Sequence, residues 1–226
     1  MSTLKVNEPF GYNGSMKKIT AVLILLSVSG FAGYRSHISK ITPQVKQRMI
    51  EGHSYNKGCP VKLEELRYLR IKHKNFSGKA QWGELVVHKE IAAEVVKIFE
   101  ALYHADYPIY QMRLVSDFDG NDWRSIEADN TSAFNCRRAT GSRQWSKHSY
   151  GRAIDINPIE NPYISRSGHI SHKASLAYRK RAHQKDTAAD RAVLLQNDNA
   201  VKLFKQHGWE WGGDWKGVKD FQHFSK

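Results

Sequence analysis

Between Trp145 and Pro158 the chain sets His148 and Asp155 seven residues apart across a Tyr150-Gly151-Arg152 turn. No other stretch constrains the fold as much. After the turn, Ala153-Ile154-Asp155-Ile156-Asn157 alternates apolar with polar residues, the period of a strand, so Asp155 leaves on the face opposite Ile154 and Ile156. A bend at Tyr150-Gly151 then lets His148 and Asp155 converge on one point. Neutral imidazole and carboxylate oxygen both suit zinc, but two ligands do not hold it. A third must come from elsewhere, so two distant segments have to meet.

The C-terminal run Asp220-Phe221-Gln222-His223-Phe224 offers a second acid and a second imidazole three residues apart, between aromatic side chains that can dry a site. Two His, one Asp and one position left open is the donor pattern of a catalytic zinc; a structural zinc is closed by four protein ligands. Asp220 is then left over to act as a base, the alternative being an acceptor that orients a ligand imidazole. Residues three apart on a strict strand face opposite ways, so a bend or helical turn is expected between Asp220 and His223.

The pattern Ser146-x-His148-x-x-Gly151-x-Ala153-x-Asp155, followed by Asp220-x-x-His223, resembles the signature of the LAS-type zinc peptidases, the D-alanyl-D-alanine carboxypeptidase-like group, peptidase M15. Further similarity lies in Thr131–Arg137 and in Gly208–Trp215, so the resemblance runs from about Cys59 to Phe224. It implies an α+β fold, a small antiparallel sheet with flanking helices. It also implies Zn2+ held by His148, Asp155 and His223, and water activated by the metal attacking a peptide carbonyl. Asp220 would shuttle the proton and Arg137 would stabilise the oxyanion. Ser146 would lie beside the substrate, and Trp211 would floor the pocket. The implied substrates are the D-amino-acid-containing stem or cross-link peptides of peptidoglycan, cut as a D-Ala-D-Ala carboxypeptidase or as an L-Ala-D-Glu or cross-link endopeptidase. One departure is Asp220 itself, since many relatives carry Glu there; a shorter acid has to sit closer to the attacking water.

The chain has 226 residues, 40% of them hydrophobic, enough for one well-packed domain. Its formal charge of +13 favours an anionic polymer as partner, such as a cell wall rich in carboxylates and phosphates. Charge alone also admits a nucleic-acid binder, but no recognition-helix motif or aromatic-basic repeat supports one. A zinc domain that binds the wall without catalysis is the other alternative.

Met16-Lys17-Lys18, the apolar run Ile19–Val28 and the small residues that follow read as a secretory signal peptide ending at Ala32, with Met16 a possible start. The run is too short for a comfortable bilayer span, which points to an exported monomer in the periplasm, outside the cell or in the wall. Removing Lys5, Glu8, Lys17 and Lys18 with residues 1–32 leaves +11, still basic. The expected division is therefore 1–32 extension and signal peptide, 33–58 linker or arm, and 59–226 catalytic domain. The only two cysteines, Cys59 and Cys136, can form a disulfide where the compartment oxidises or remain buried thiols.

Within the domain, Leu66–Ile71 and Gly83–Val87 read as strands joined through a turn at Asn75–Gly78. Ile91, Val95, Ile98, Phe99 and Leu102 fall at helical spacing, giving a helix over Lys89–Tyr103, and Tyr110–Leu114 alternates as another strand. Asp117–Arg143 reads as loop, Pro158–Asp190 as a partly helical flap beside the site, and Val193–His207 as a second helix closed by Gly208.

Overall fold

The computed structural model describes residues 34–226, so the proposed signal peptide lies outside the described residues. Alternating burial makes the first sheet. In β2 (Leu66–Lys74), Leu69 and Ile71 are buried while Arg70 between them is exposed. The strand pairs antiparallel on one side with β1 (Ser36–Lys40) and on the other with β3 (Ala80–His88). The β2–β3 turn closes as its chemistry requires: Asn75 Oδ1 accepts from the Ser77 and Lys79 amides, and Gly78 takes a positive φ of 72°.

Residues 34–58 differ from the expected linker or irregular arm. They contain β1 and a capped helix, α1 (Pro43–Glu51), whose Thr42 hydroxyl accepts from the Val45 amide with proline at the first helical turn. Polar, basic side chains hide this order in the sequence. Met49 is buried with Leu66, Val86, Leu114 and Phe134, and Arg48 bridges Glu84 and Asp117 at 2.8 and 2.6 Å.

The next helix, α2 (Ala92–His104), buries Val95, Ile98, Phe99 and Leu102, an i, i+3, i+4, i+7 stripe laid across the inner face of the sheet. Each such side chain contributes about 1.5–3 kcal/mol on burial. The helix stops at His104, before Pro108, and the chain passes through β4 (Gln111–Met112), which pairs in parallel with β5 (Asn130–Thr131). Between these strands lies α3 (Asp122–Glu127), a helix in what reads as loop; Asn121 caps it by accepting from the Arg124 amide at 3.1 Å.

A second sheet is built from β6 (Ala153–Asp155), β8 (Glu210–Trp211) and β10 (His223–Ser225), in the order β6-β10-β8 and antiparallel throughout. Its Ile154 and Phe224 enter the same core as α2, together with Ile156, Trp209, Trp211 and the buried face of α5 (Asn199–Gln206). The fold is thus α+β, with two small sheets joined through one helical layer.

The long connection from Pro158 to Asp198 contributes β7 (Tyr163–Ile164), which pairs with β9 (Lys219–Asp220), and the single turn α4 (Ala188–Arg191). α5 starts six residues later than its apolar pattern suggests. Val193 and Leu194 are buried, but the Asp198 carboxylate accepts from the Leu195 amide at 2.7 Å and holds that stretch in a turn. Gly208 follows the helix at φ 76°, the expected position after the C-cap.

Under this connection Glu160 and Asp129 are both buried and interact. Burial and the neighbouring Asp129 carboxylate push Glu160 up to about 9, and burial also raises Asp129. An acid with a raised folded-state pKa keeps a proton that the unfolded chain releases above pH 4.5. Its contribution to stability is therefore complete below that pH and is lost as pH climbs toward 9. One proton allows a slope of at most about 1.4 kcal/mol per pH unit. Glu160→Gln should accordingly gain on the wild type in thermal melts between pH 5 and 8. Parallel stability profiles for the two proteins would contradict this.

Candidate metal centre and active site

His148 is placed by a 3-10 turn over Lys147–Tyr150, which Ser146 caps: its hydroxyl accepts from the His148 amide at 3.3 Å. Gly151 ends the turn at φ 67°, and a Cβ there would lie 2.7 Å from the His88 amide nitrogen, so only glycine lets the turn close against β3. Asp155 ends β6 and lies directly opposite His223 at the start of β10. Strand register therefore sets two of the three expected ligands side by side. The turn supplies the third.

The three side chains converge. His148 Nε2 lies 3.1 Å from Asp155 Oδ2 and 3.2 Å from His223 Nδ1, which is 3.0 Å from Asp155 Oδ1. All three residues are buried. The edges of a tetrahedron with bonds of 2.0–2.1 Å are about 3.3 Å long, so these spacings suit a zinc-sized cation. Protonation agrees. His148 Nδ1 faces the Ala133 carbonyl at 2.5 Å, and a carbonyl only accepts, so Nδ1 carries a proton and Nε2 is the nitrogen turned into the cluster.

Electrostatics follow from this packing. Burial would raise Asp155, yet the charge and hydrogen bond of His148 and the hydrogen bond of His223 hold it far below the usual carboxylate range. Burial would lower His223, but its hydrogen bond to Asp155 and that acid's charge raise it. Asp220 goes the other way. Burial first and the Asp155 charge second push it up to about 6.

Asp220 ends β9, and a turn through Phe221 and Gln222 separates it from His223, the bend that their spacing demanded. Gln222 donates to Asp220 Oδ1 at 3.1 Å. A Cβ on Gly212 would lie 2.4 Å from the Asp220 carbonyl oxygen, so glycine admits this close backbone approach. On the far side, the Arg181 guanidinium sits 4.4 Å over the Phe221 ring.

Arg137 follows the Cys59–Cys136 disulfide, one of the two alternatives left open for these cysteines, with Cα atoms 5.7 Å apart. Its amide donates to Ser149 Oγ at 2.9 Å, and its Nη2 pairs with Asp122 Oδ2 at 2.8 Å. Ser149 lies on the turn that carries His148, so the Arg137 backbone is anchored beside that side chain. Trp211 is the side chain that the resemblance makes the pocket floor. It is buried in the core, stacked toward Phe224, with Nε1 donating to the Phe221 carbonyl at 2.8 Å. Trp215 is the aromatic against the cluster, its ring 5.3 Å from that of His223.

Two neighbours escaped the sequence. Asp122 lies on the helix that reads as loop. Tyr163, 41% exposed, is directly opposite Asp220 in the β7–β9 pair. Residues opposite one another in an antiparallel pair project to the same face, so the Tyr163 ring borders the acid. Nothing in the sequence flags either; both depend on pairings across at least 15 residues.

The model of a family described as D-alanyl-D-alanine carboxypeptidase matches residues 140–226. That span contains Ser146, the His148–Asp155–His223 cluster and Asp220, while Arg137 precedes it. No curated protein and no solved structure matches the chain.

Proposed function

Taking the chain as a member of the D-alanyl-D-alanine carboxypeptidase family, peptidase M15, on its match over residues 140–226, we propose that it is an exported zinc peptidase. Its substrates would be the D-amino-acid-containing stem or cross-link peptides of peptidoglycan. The observation that carries this reading is the convergence of His148, Asp155 and His223 on one point, with Asp220 one turn before His223.

These three side chains would hold the ion. When bound, zinc supplies Lewis-acid polarisation of a carbonyl and makes water a stronger acid. The chain's own groups do the rest. Asp220 takes a proton from the attacking water and delivers it to the leaving amine, the two transfers that a positioned carboxylate can make. Arg137 offers its guanidinium to the oxyanion that develops on the carbonyl. Ser146, whose hydroxyl caps the His148 turn, would meet the substrate carboxylate. Trp215 packs against His223 and Tyr163 stands opposite Asp220 in the β7–β9 pair, so both would border a bound peptide.

The Cys59–Cys136 bridge supports export, because structural disulfides persist in oxidising compartments. Among the described residues no helix is long and apolar enough to cross a membrane. A net charge of +11 after removal of residues 1–32 would draw the protein to an anionic wall polymer, by an attraction that salt weakens.

The protein incubated with purified muropeptides should yield hydrolysed products by mass spectrometry. One set of substrates should end in D-Ala-D-Ala, and another should lack that terminus but carry the L-Ala-D-Glu bond. A chelator should stop the reaction, and added zinc should restore it. Absence of any product from the zinc-loaded protein would refute the peptidase reading.

A further inference from the structure

We propose that Asp122 is the positioning residue for Arg137: it fixes the direction in which the guanidinium faces the reacting carbonyl. This rests on the peptidase reading of the site. The main chain of Arg137 is already immobile. Cys136 is bridged to Cys59, the Arg137 amide donates to Ser149 Oγ, and the Arg137 carbonyl accepts from the same hydroxyl at 2.6 Å. Ser149 belongs to the turn that carries His148, so the Arg137 backbone and the metal ligand are set by one local structure.

The side chain is a separate matter. An arginine has several rotatable bonds, and a fixed Cα does not aim its planar end. Two contacts do. Nη1 donates to the Arg138 carbonyl at 3.2 Å, and Nη2 pairs with Asp122 Oδ2 at 2.8 Å. A guanidinium has five N–H donors. Nη1 and Nη2 each keep a second N–H, so donor capacity is left for a ligand, while Nε is buried and has no hydrogen-bond partner among the described residues.

Asp122 is itself held. It opens α3, whose next residue, Trp123, stacks on His172 with ring centres 3.9 Å apart, while Glu127 reaches the same imidazole at 2.7 Å. The helix is thereby clamped to the connection between β6 and α5, and Asp122 is the one residue of the clamp that touches Arg137.

Magnitude separates this role from a structural one. The Asp122 and Arg137 side chains are 36% and 26% exposed, and a pair so open to water contributes roughly 0–1 kcal/mol to stability. Loss of a donor aimed at a developing oxyanion costs about 10²–10³-fold in turnover, and a misplacement near 1 Å can cost about 10²-fold. Removing Asp122 should therefore be felt in kcat far more than in folding.

The test is a set of variants of the full protein: Asp122→Ala, Asp122→Glu, Arg137→Ala and the Asp122→Ala/Arg137→Ala double variant. On a cleaved muropeptide, Asp122→Ala should lose about tenfold to a hundredfold in kcat, with KM within about twofold and zinc content unchanged. Asp122→Glu should recover most of that loss. In the Arg137→Ala background, Asp122→Ala should cost nothing more. A readout independent of turnover is the Nε–Hε NMR resonance of Arg137, assigned by its disappearance in Arg137→Ala. It should be slow to exchange in the wild type and in Asp122→Glu, and exchange-broadened in Asp122→Ala.

Undiminished kcat in Asp122→Ala would overturn the proposal. So would an equal loss in the Arg137→Ala background, or an Arg137 resonance indifferent to Asp122. A wild-type protein that cleaves no muropeptide would instead sink the peptidase reading, and the resonance would still decide whether Asp122 fixes Arg137.

Discussion

Asp220→Ala should lower turnover of a muropeptide by about 10²–10⁴-fold while the protein retains its zinc, the range expected when a positioned general acid–base is lost. The separation of the two effects comes from the architecture. Asp220 lies on β9, paired with β7, whereas Asp155 and His223 lie opposite each other in β6 and β10 and His148 sits on its own turn. Truncating Asp220 leaves every ligand in place.

His223→Ala should behave differently and lose metal and activity together. Zinc content by atomic absorption, measured beside kcat, distinguishes the two classes of variant. Full turnover in Asp220→Ala would remove the acid from the mechanism. Zinc binding with no peptidase activity in the wild type would instead favour a metal-containing wall-binding domain.

Breaking the Cys59–Cys136 bridge should have the largest effect on stability. The cysteines are 77 residues apart in sequence, and closing a loop of that length restricts the unfolded chain by about 4–5 kcal/mol in the chain-entropy account. For a domain near 200 residues that corresponds to a fall of roughly 10 °C in Tm. The Cys59→Ala/Cys136→Ala variant, melted beside the wild type, gives the comparison. Some loss of turnover should accompany it at temperatures where both are folded, since Cys136 directly precedes Arg137. A Tm unchanged within about 2 °C, or two alkylated thiols found without reductant, would contradict the bridge's role.

Much of this site is legible in the sequence because its parts are locally encoded. Alternation through Ala153–Asn157 sends Ile154 and Ile156 into the core and leaves Asp155 for the cluster, and the glycine after Tyr150 marks the turn that brings His148 back. β2 and α2 announce themselves by period, since each buries mainly one face, and β3 by its apolar run Leu85–Val87, which is buried on both faces. Elements short of periodic residues do not. α3 is one capped turn and a half of polar sequence, and β1 is an edge strand with exposed side chains. The start of α5 is displaced because a local Asp198 hydrogen bond outweighs a continued apolar pattern. Trp211 and Trp215 both sit near the site in sequence. Only burial separates the one that fills the core from the one beside His223.

The backbone partner of the strand bearing Asp220 is not part of the sheet that bears the ligands. β7 belongs to the Pro158–Asp198 connection, which also grips Phe221 through Arg181 and α3 through His172. Insertions, deletions or exchanges in that connection reach the acid, its tyrosine neighbour and the helix beneath Arg137 without disturbing the ion's coordination. On the peptidase reading, which peptide is accepted and how firmly the metal is kept would thereby fall to separate pieces of chain. Grafting this connection between homologous enzymes is the direct way to transfer the first property without the second.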